Sequence, residues 1–155
     1  MKYTPDAIHL LNQSIKSLFK EAILMSLKNP AMAIFMYRTM RRQKKAAKVR
    51  QSWETRGVHV PAFMIASITN RCNLQCKGCF AQTQQRFLET EMSADKLRSV
   101  IAEADEMGIS IILLSGGEPL ARPEILDITK NSPGIIFPLF TNGLLINEEM
   151  IARFK

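Results

Sequence analysis

Residues 61–80 have the sequence PAFMIASITNRCNLQCKGCF, and this stretch decides the fold of the 155-residue chain. Its first part is a short apolar run that ends at a polar Thr-Asn pair, which is typical of a strand buried on both faces. Two similar runs follow, ISIILL at residues 109–114 and IIFPLF at residues 135–140. Because segments of helical periodicity separate the three runs, the sequence predicts an α/β fold with a parallel sheet, either open or an arc of a barrel.

The helices that alternate with these strands have recognisable starts and ends. Ser93 is a predicted N-cap and Gly108 a predicted end for the first of them. Pro123 suits the first turn of the second helix, and Asn147 is a predicted cap for the third. Pro138 weakens the third strand prediction, since proline cannot donate to a ladder.

Polar motifs follow each predicted strand. They are TNRCNLQCKGCF at residues 69–80, SGGEPL at residues 115–120 and TNGL at residues 141–144. In parallel α/β folds the C-terminal ends of the strands lie at one edge of the sheet, and ligands bind there. The sequence therefore predicts that the three motifs share one site.

Three cysteines, Cys72, Cys76 and Cys79, occupy the first of these motifs with Cys-x3-Cys-x2-Cys spacing. An odd, clustered set does not suit a disulfide framework and indicates a reducing compartment and a thiolate site. Thiolates select zinc, copper(I) or iron-sulfur clusters. Zinc would need a fourth ligand, for which His59 is the nearest alternative, whereas a [4Fe-4S] cluster held by three cysteines keeps one iron open. The spacing favours the cluster, with zinc and buried or redox-active thiols as the alternatives.

Taken together, the motifs resemble the N-terminal part of a radical S-adenosylmethionine (radical SAM) protein over about residues 61–145. The residues that carry the resemblance are Cys72, Cys76 and Cys79 after the first strand, Gly116-Gly117-Glu118-Pro119 after the second and Thr141-Asn142-Gly143 after the third. The resemblance implies that the three cysteines bind a [4Fe-4S] cluster and that S-adenosylmethionine chelates its open iron. It further implies reductive cleavage of S-adenosylmethionine to a 5'-deoxyadenosyl radical, which abstracts hydrogen from a substrate.

The resemblance also suggests which residues contact the cofactor: Gly116, Gly117, Glu118, Pro119, Asn142 and Phe80. The glycines allow close backbone approach, and Glu118 offers an acceptor in a motif that receives the methionine ammonium. The alternatives are an exposed turn for Glu118, a plain strand-end turn for Asn142, and burial as a loop anchor for Phe80. One departure from the family pattern is Gly78, which stands before the third cysteine where an aromatic residue is usual. No catalytic residue is assigned beyond the cluster ligands.

The net charge of +7 is concentrated in the N-terminal part of the chain. Residues 1–60 hold twelve Lys and Arg against three Asp and Glu, whereas residues 61–155 hold nine against eleven. Two helices are predicted within residues 5–50, and the second is strongly basic. They either cap the following domain or contact a membrane surface or protein partner, and nucleic acid is the least favoured partner because aromatic residues do not interleave the basic run. With neither a membrane-spanning stretch nor a secretory signal visible, we expect a cytoplasmic protein, with peripheral membrane attachment as the alternative.

The length of the chain bears on its completeness. The resemblance implies a partial TIM-type (βα)6 barrel, and about three βα units are predicted here. We therefore expect a basic helical segment at residues 1–60 and a truncated radical SAM core domain at residues 61–155. The expected function is a radical SAM enzyme or a fragment of one, acting on an unknown small molecule or peptide with an external electron donor such as ferredoxin or flavodoxin. The alternatives are a truncated, non-catalytic iron-sulfur or metal-binding protein and an interaction protein.

Overall fold

The computed structural model describes Leu24 and residues 29–80 and 91–154. The first predicted N-terminal helix lies almost wholly outside these residues. Contacts divide the chain into two compact units, residues 1–41 and residues 42–155. In the described part of the chain, no helix is both long enough and apolar enough to cross a membrane.

The described elements alternate as the sequence predicts. In chain order they are α1 (Pro30–Glu54), β1 (Phe63–Thr69), α2 (Ala94–Glu106), β2 (Ile111–Gly116), a short 3-10 helix (Pro119–Ala121), α3 (Ile125–Lys130) and α4 (Glu148–Phe154). Ser93 caps α2 by accepting a hydrogen bond from the Lys96 N–H, and Asn147 does the same for the Met150 N–H of α4. Both predicted caps are confirmed.

Strands β1 and β2 pair in parallel, from Phe63 opposite Ile111 to Ser67 opposite Ser115. The register then shifts, so that Thr69 stands opposite Gly116 at the end of the ladder. Because of this shift, the last residues of the two strands, Thr69 and Gly116, lie side by side. A parallel pair joined through α2 confirms the predicted α/β class.

The third apolar run also pairs with β2 in parallel, but its ladder is interrupted. Its backbone bonds to β2 are Ile136 N to Ser110 O, Ile112 N to Ile136 O, Leu114 N to Pro138 O and Phe140 N to Leu114 O. The missing step in this register would be a donation from position 138 to the Ile112 carbonyl, and proline has no N–H. The predicted strand therefore takes the form of two isolated bridges, Ile111 with Ile136 and Leu114 with Leu139.

The hydrophobic core lies between the sheet and the helices α2 and α3. Its buried members include Ile101 of α2, Ile112 and Leu114 of β2 and Ile125 and Ile128 of α3. Side chains on the other face of β1, such as Phe63 and Ile65, are exposed. Because only one face of β1 is covered, alternate β1 residues are exposed, and the expectation that this strand is buried on both faces was wrong.

The C-terminal part of α1 packs near the start of β2. The Arg50 guanidinium donates to the Gly108 carbonyl, and the Gln43 amide donates to the Ser110 carbonyl over 3.2 Å. Gly108 has a φ of +86°, and a side chain there would meet the Ala46 carbonyl of α1. This close approach explains why glycine follows the end of α2.

Candidate cofactor site

The three polar motifs meet at the C-terminal edge of the paired strands. The Gly117 N–H donates to the Thr69 carbonyl over 2.8 Å, and the Glu118 N–H donates to the Arg71 carbonyl over 2.7 Å. The loop after β2 is thus attached to the segment that leads from β1 into the cysteines. The structure brings the first two motifs together as the sequence predicts.

Glycine is required where these two loops touch. A Cβ on Gly116 would overlap the Thr69 carbonyl oxygen, and one on Gly117 would overlap the Arg71 carbonyl oxygen. Gly116 also has a φ of +141°, which favours glycine. The two glycines therefore serve first to let two backbones approach each other.

The Glu118 carboxylate is fully buried and joins the second motif to the third. Its Oε1 accepts from the Leu120 N–H over 2.9 Å and from the Thr141 hydroxyl over 2.7 Å, and its Oε2 accepts from the Asn142 N–H over 2.8 Å. The Leu120 bond caps the 3-10 helix that begins at Pro119, which is itself buried. The side chain expected to offer an acceptor for the cofactor is thus occupied by protein donors, and its contact with a cofactor stays a prediction.

Asn142 connects the third motif to the cysteine loop. Its side-chain Nδ2 donates to Oδ1 of Asn73, next to Cys72, over 2.9 Å. Its own Oδ1 accepts from the Leu144 N–H over 3.0 Å, which fixes the orientation of the amide. All three motifs are therefore joined by hydrogen bonds.

The cysteine loop is more open than the two loops beside it. Cys72 and Cys76 are exposed and Cys79 is half-buried. The Cys79 N–H donates to the Cys76 carbonyl, which closes a turn around Gly78, whose φ is +75°. The Leu74 N–H points to the Cys72 sulfur at 3.4 Å, as amides do toward metal-bound thiolates.

The donor set suits a soft metal centre. Three free thiols lie in one loop, and thiolate is the ligand that iron-sulfur clusters require. Within residues 29–80 and 91–154, however, no three His, Cys, Asp or Glu side chains already converge on one point. The chemistry of the residues fits a cluster, and the cysteine side chains would have to converge around it.

Phe80, the aromatic residue after the third cysteine, is 76% exposed. The structure therefore does not bury it as a loop anchor, which was one of the two sequence interpretations. Packing against a bound cofactor stays a prediction for this residue.

Two charged residues that the motifs did not identify support the end of β1. Arg122 is buried, and its guanidinium donates to the Ile68 carbonyl over 2.7 Å and to a Glu124 carboxylate oxygen over 2.9 Å. Glu91 accepts from the Thr69 hydroxyl over 2.7 Å and from the Asn70 N–H over 2.9 Å. No spacing rule connects Arg122 with Ile68, 54 residues away, or Glu91 with Thr69 and Asn70, 22 and 21 residues away. In the sequence, Arg122 and Glu91 stand out only by their position next to a predicted helix or motif.

The surroundings of Glu91 favour its charged form. Burial alone would raise the pKa of this carboxyl, but hydrogen bonds and nearby cations outweigh burial and lower its pKa below the ordinary value. The groups that lower it are the Thr69 hydroxyl, the Asn70 N–H, Arg71 and Arg122. Arg71 lies 3.4 Å from the second carboxylate oxygen.

A separate cavity of about 450 Å³ lies away from the motifs. Side chains of α1 and α2 line it, including Lys45 and Asp105, together with Pro133 and Gly134. These residues belong to the edge where the strands begin. The cavity is therefore not part of the site formed by the three motifs.

Comparison with known proteins agrees with this geometry. The family model of the radical SAM superfamily matches residues 66–155, which include all three motifs. The chain belongs to the radical SAM superfamily. This confirms the resemblance inferred from the cysteines and the two strand-end motifs.

Similar curated radical SAM proteins carry out different reactions. The chain is 33% identical over 94 residues to Fe-coproporphyrin III synthase of Methanosarcina barkeri, covering 59% of this chain and 24% of that protein. It is 31% identical over 108 residues to PqqA peptide cyclase of Bradyrhizobium diazoefficiens, covering 68% of this chain and 28% of that protein. It is 33% identical over 94 residues to GTP 3',8-cyclase of Clostridium perfringens, covering 57% and 29% respectively.

The matched part of this radical SAM chain spans about a quarter of the length of these relatives. The relatives are enzymes, and family membership implies cleavage of S-adenosylmethionine through a radical, with a [4Fe-4S] cluster as the family's cofactor. The parallel pairing of the strands is consistent with part of the family's barrel. No solved structure gives a significant match.

Proposed function

We propose that this chain carries the cofactor site of a radical SAM enzyme, in which Cys72, Cys76 and Cys79 hold a [4Fe-4S] cluster beside bound S-adenosylmethionine. The proposal rests on one observation, that hydrogen bonds hold the three strand-end motifs together. The Thr69–Arg71 backbone, the Glu118 carboxylate and the Asn142 amide join them by hydrogen bonds. A turn at a single strand end would not need this arrangement.

The loop after β2 is suited to receive the amino acid part of S-adenosylmethionine. Its backbone is held by the Thr69 and Arg71 carbonyls and by the buried Glu118 side chain, so its conformation is set before a ligand arrives. Preorganised backbone groups bind a ligand without paying the cost of ordering a loop. A [4Fe-4S] cluster held by these three cysteines would, when reduced, supply the single electron for cleavage of the S-adenosylmethionine sulfonium.

The substrate is a small molecule or a peptide, and the electron comes from a protein such as ferredoxin or flavodoxin. The relatives are named for a porphyrin, a peptide and GTP, and their matches cover 59%, 68% and 57% of this chain. Since relatives with such different substrates are all similar to this chain, we attribute the similarity to the cofactor chemistry of the family rather than to the choice of substrate.

Anaerobic reconstitution of the 155-residue chain with iron and sulfide tests the proposal. We expect a brown protein whose dithionite-reduced EPR spectrum changes on addition of S-adenosylmethionine and which releases 5'-deoxyadenosine. S-adenosylhomocysteine is the control, because it lacks the sulfonium and cannot be cleaved. A reduced cluster whose spectrum ignores S-adenosylmethionine would contradict the proposal for this chain and support the alternative, a non-catalytic iron-sulfur protein.

A further inference from the structure

Glu91 contacts each residue that connects β1 to the cysteine loop. Its Oε1 accepts from the Thr69 hydroxyl and the Asn70 N–H, and its Oε2 lies 3.4 Å from the Arg71 guanidinium. The Thr69 hydroxyl in turn accepts from the Arg71 N–H over 3.1 Å. Cys72 is the next residue along the chain.

Two of these three residues, Thr69 and Arg71, are also held by the loop after β2. The Thr69 and Arg71 carbonyls accept from the Gly117 and Glu118 N–H groups, while Glu91 takes the donors that point the opposite way. Thr69 is only 2% exposed, so its hydroxyl would lose a partner and have little access to water if Glu91 were shortened. The backbone conformation of residues 69–71 thus depends on hydrogen bonds to Glu91 and on hydrogen bonds to the loop after β2.

We propose that Glu91 is a positioning residue that fixes the direction in which the chain leaves β1 and so places Cys72 for cluster binding. The inference extends the proposed function, because it depends on the cysteines being the cluster ligands. Within the described residues, these hydrogen bonds and this ion pair join Glu91 to residues 69–71 rather than to a cysteine. It acts through that segment.

The charge and the shape of Glu91 make separable contributions. A glutamine keeps an oxygen that can accept from Thr69 and Asn70 but loses the attraction to Arg71, whose side chain is 71% exposed. An exposed ion pair of this kind contributes little. We therefore expect Glu91→Gln to resemble the wild type and Glu91→Ala to differ strongly. Glu103→Gln, an exposed site on α2, is the matched control.

Hydrogen exchange of the cluster-free chain is the first test. In Glu91→Ala we expect the Asn70 and Arg71 amides to exchange about tenfold faster, with the β2 amides unchanged. Glu91→Gln should restore most of the protection, and Glu103→Gln should match the wild type. Equal exchange at residues 69–72 in Glu91→Ala and the wild type would overturn the proposal. If the alanine variant does not fold, Glu91→Asp, which keeps the charge but shortens the reach, replaces it under the same criterion.

Cluster stability is the second test, and it separates this proposal from the proposed function. In reconstituted protein challenged with EDTA, Glu91→Ala should lose iron several-fold faster than the wild type and show an altered EPR line shape. Unchanged iron loss and line shape would contradict the positioning role. A wild-type chain that fails to assemble any cluster would contradict the proposed function instead, and the exchange experiment would still decide the role of Glu91.

Discussion

The loop after β2 and the loop after β1 lie side by side but differ in how far the protein has already organised them. Glu118 and Pro119 are buried, and every oxygen of the Glu118 carboxylate has a protein donor. Cys72 and Cys76, by contrast, are exposed. The comparison shows that the loop after β2 is held by buried hydrogen bonds, whereas two of the three thiols in the loop after β1 are open to solvent.

Removing a thiolate should give the largest effect. Cys76→Ala should reduce the iron content of the reconstituted chain from about four atoms to near zero, because two cysteines cannot retain the cluster. Since Cys76 is exposed, the melting temperature of the cluster-free protein should stay within about 1 °C of the wild type. Iron analysis and circular dichroism measure the two quantities.

Gln75→Ala is the control for this substitution, because Gln75 is an exposed neighbour in the same loop. It should keep full iron content. Retention of full iron by Cys76→Ala would instead show that the cysteine loop does not hold the cluster.

Cys76→Ala is expected to leave the stability of the cluster-free protein unchanged. Removing the Glu118 carboxylate should instead lower the free energy of unfolding strongly, even when no cluster is present. Glu118→Ala leaves the buried Leu120 N–H and the partly buried Thr141 hydroxyl and Asn142 N–H without their acceptor. An orphaned buried donor costs about 1–3 kcal/mol and a partly buried one costs less, so we expect a total loss of about 2–5 kcal/mol in urea unfolding. Glu103→Ala, on the exposed side of α2, should change the free energy of unfolding by less than about 0.5 kcal/mol. Equal unfolding free energies for Glu118→Ala and the wild type would mean that the hydrogen bonds of the Glu118 carboxylate do not stabilise the fold.

The sequence could predict the parts of this molecule that depend on local pattern. The apolar runs and the capping residues Ser93 and Asn147 predict the elements, and parallel topology places the motifs after them at one edge. Pro138 even marks the interruption in the third strand. What local pattern could not predict is which polar side chains turn inward, because the bonds of Glu118 to Asn142 and of Glu91 to Asn70 join residues 24 and 21 positions apart. Such bonds exist only once the strands have paired.

Two glycines separate the cost of a backbone angle from the cost of a close approach. Gly143 has a φ of +78°, and a Cβ there meets nothing within 4 Å, whereas Gly117 has no positive φ but a Cβ there would overlap the Arg71 carbonyl oxygen. Gly143→Ala should therefore cost only about 1 kcal/mol of strain. Gly117→Ala should cost at least about 3 kcal/mol, because the Arg71 backbone must move to make room for the Cβ. Urea unfolding of both variants gives the difference, and similar losses would refute the close approach of the two loops.

The smallest expected effect is the dependence of stability on pH that comes from Glu91. Its pKa is lowered in the folded protein, so the carboxylate contributes stability at pH values above its ordinary pKa of 4.5, and this contribution is lost as pH falls through the lowered folded value. Arg71 and Arg122 are the cations that favour the charged form of Glu91. The difference in unfolding free energy between the wild type and Glu91→Gln should therefore be greatest near neutral pH and shrink below pH 4.5. A difference for Glu91→Gln that stays constant down to pH 3 would mean that the charge of Glu91 does not stabilise the segment between β1 and the cysteine loop.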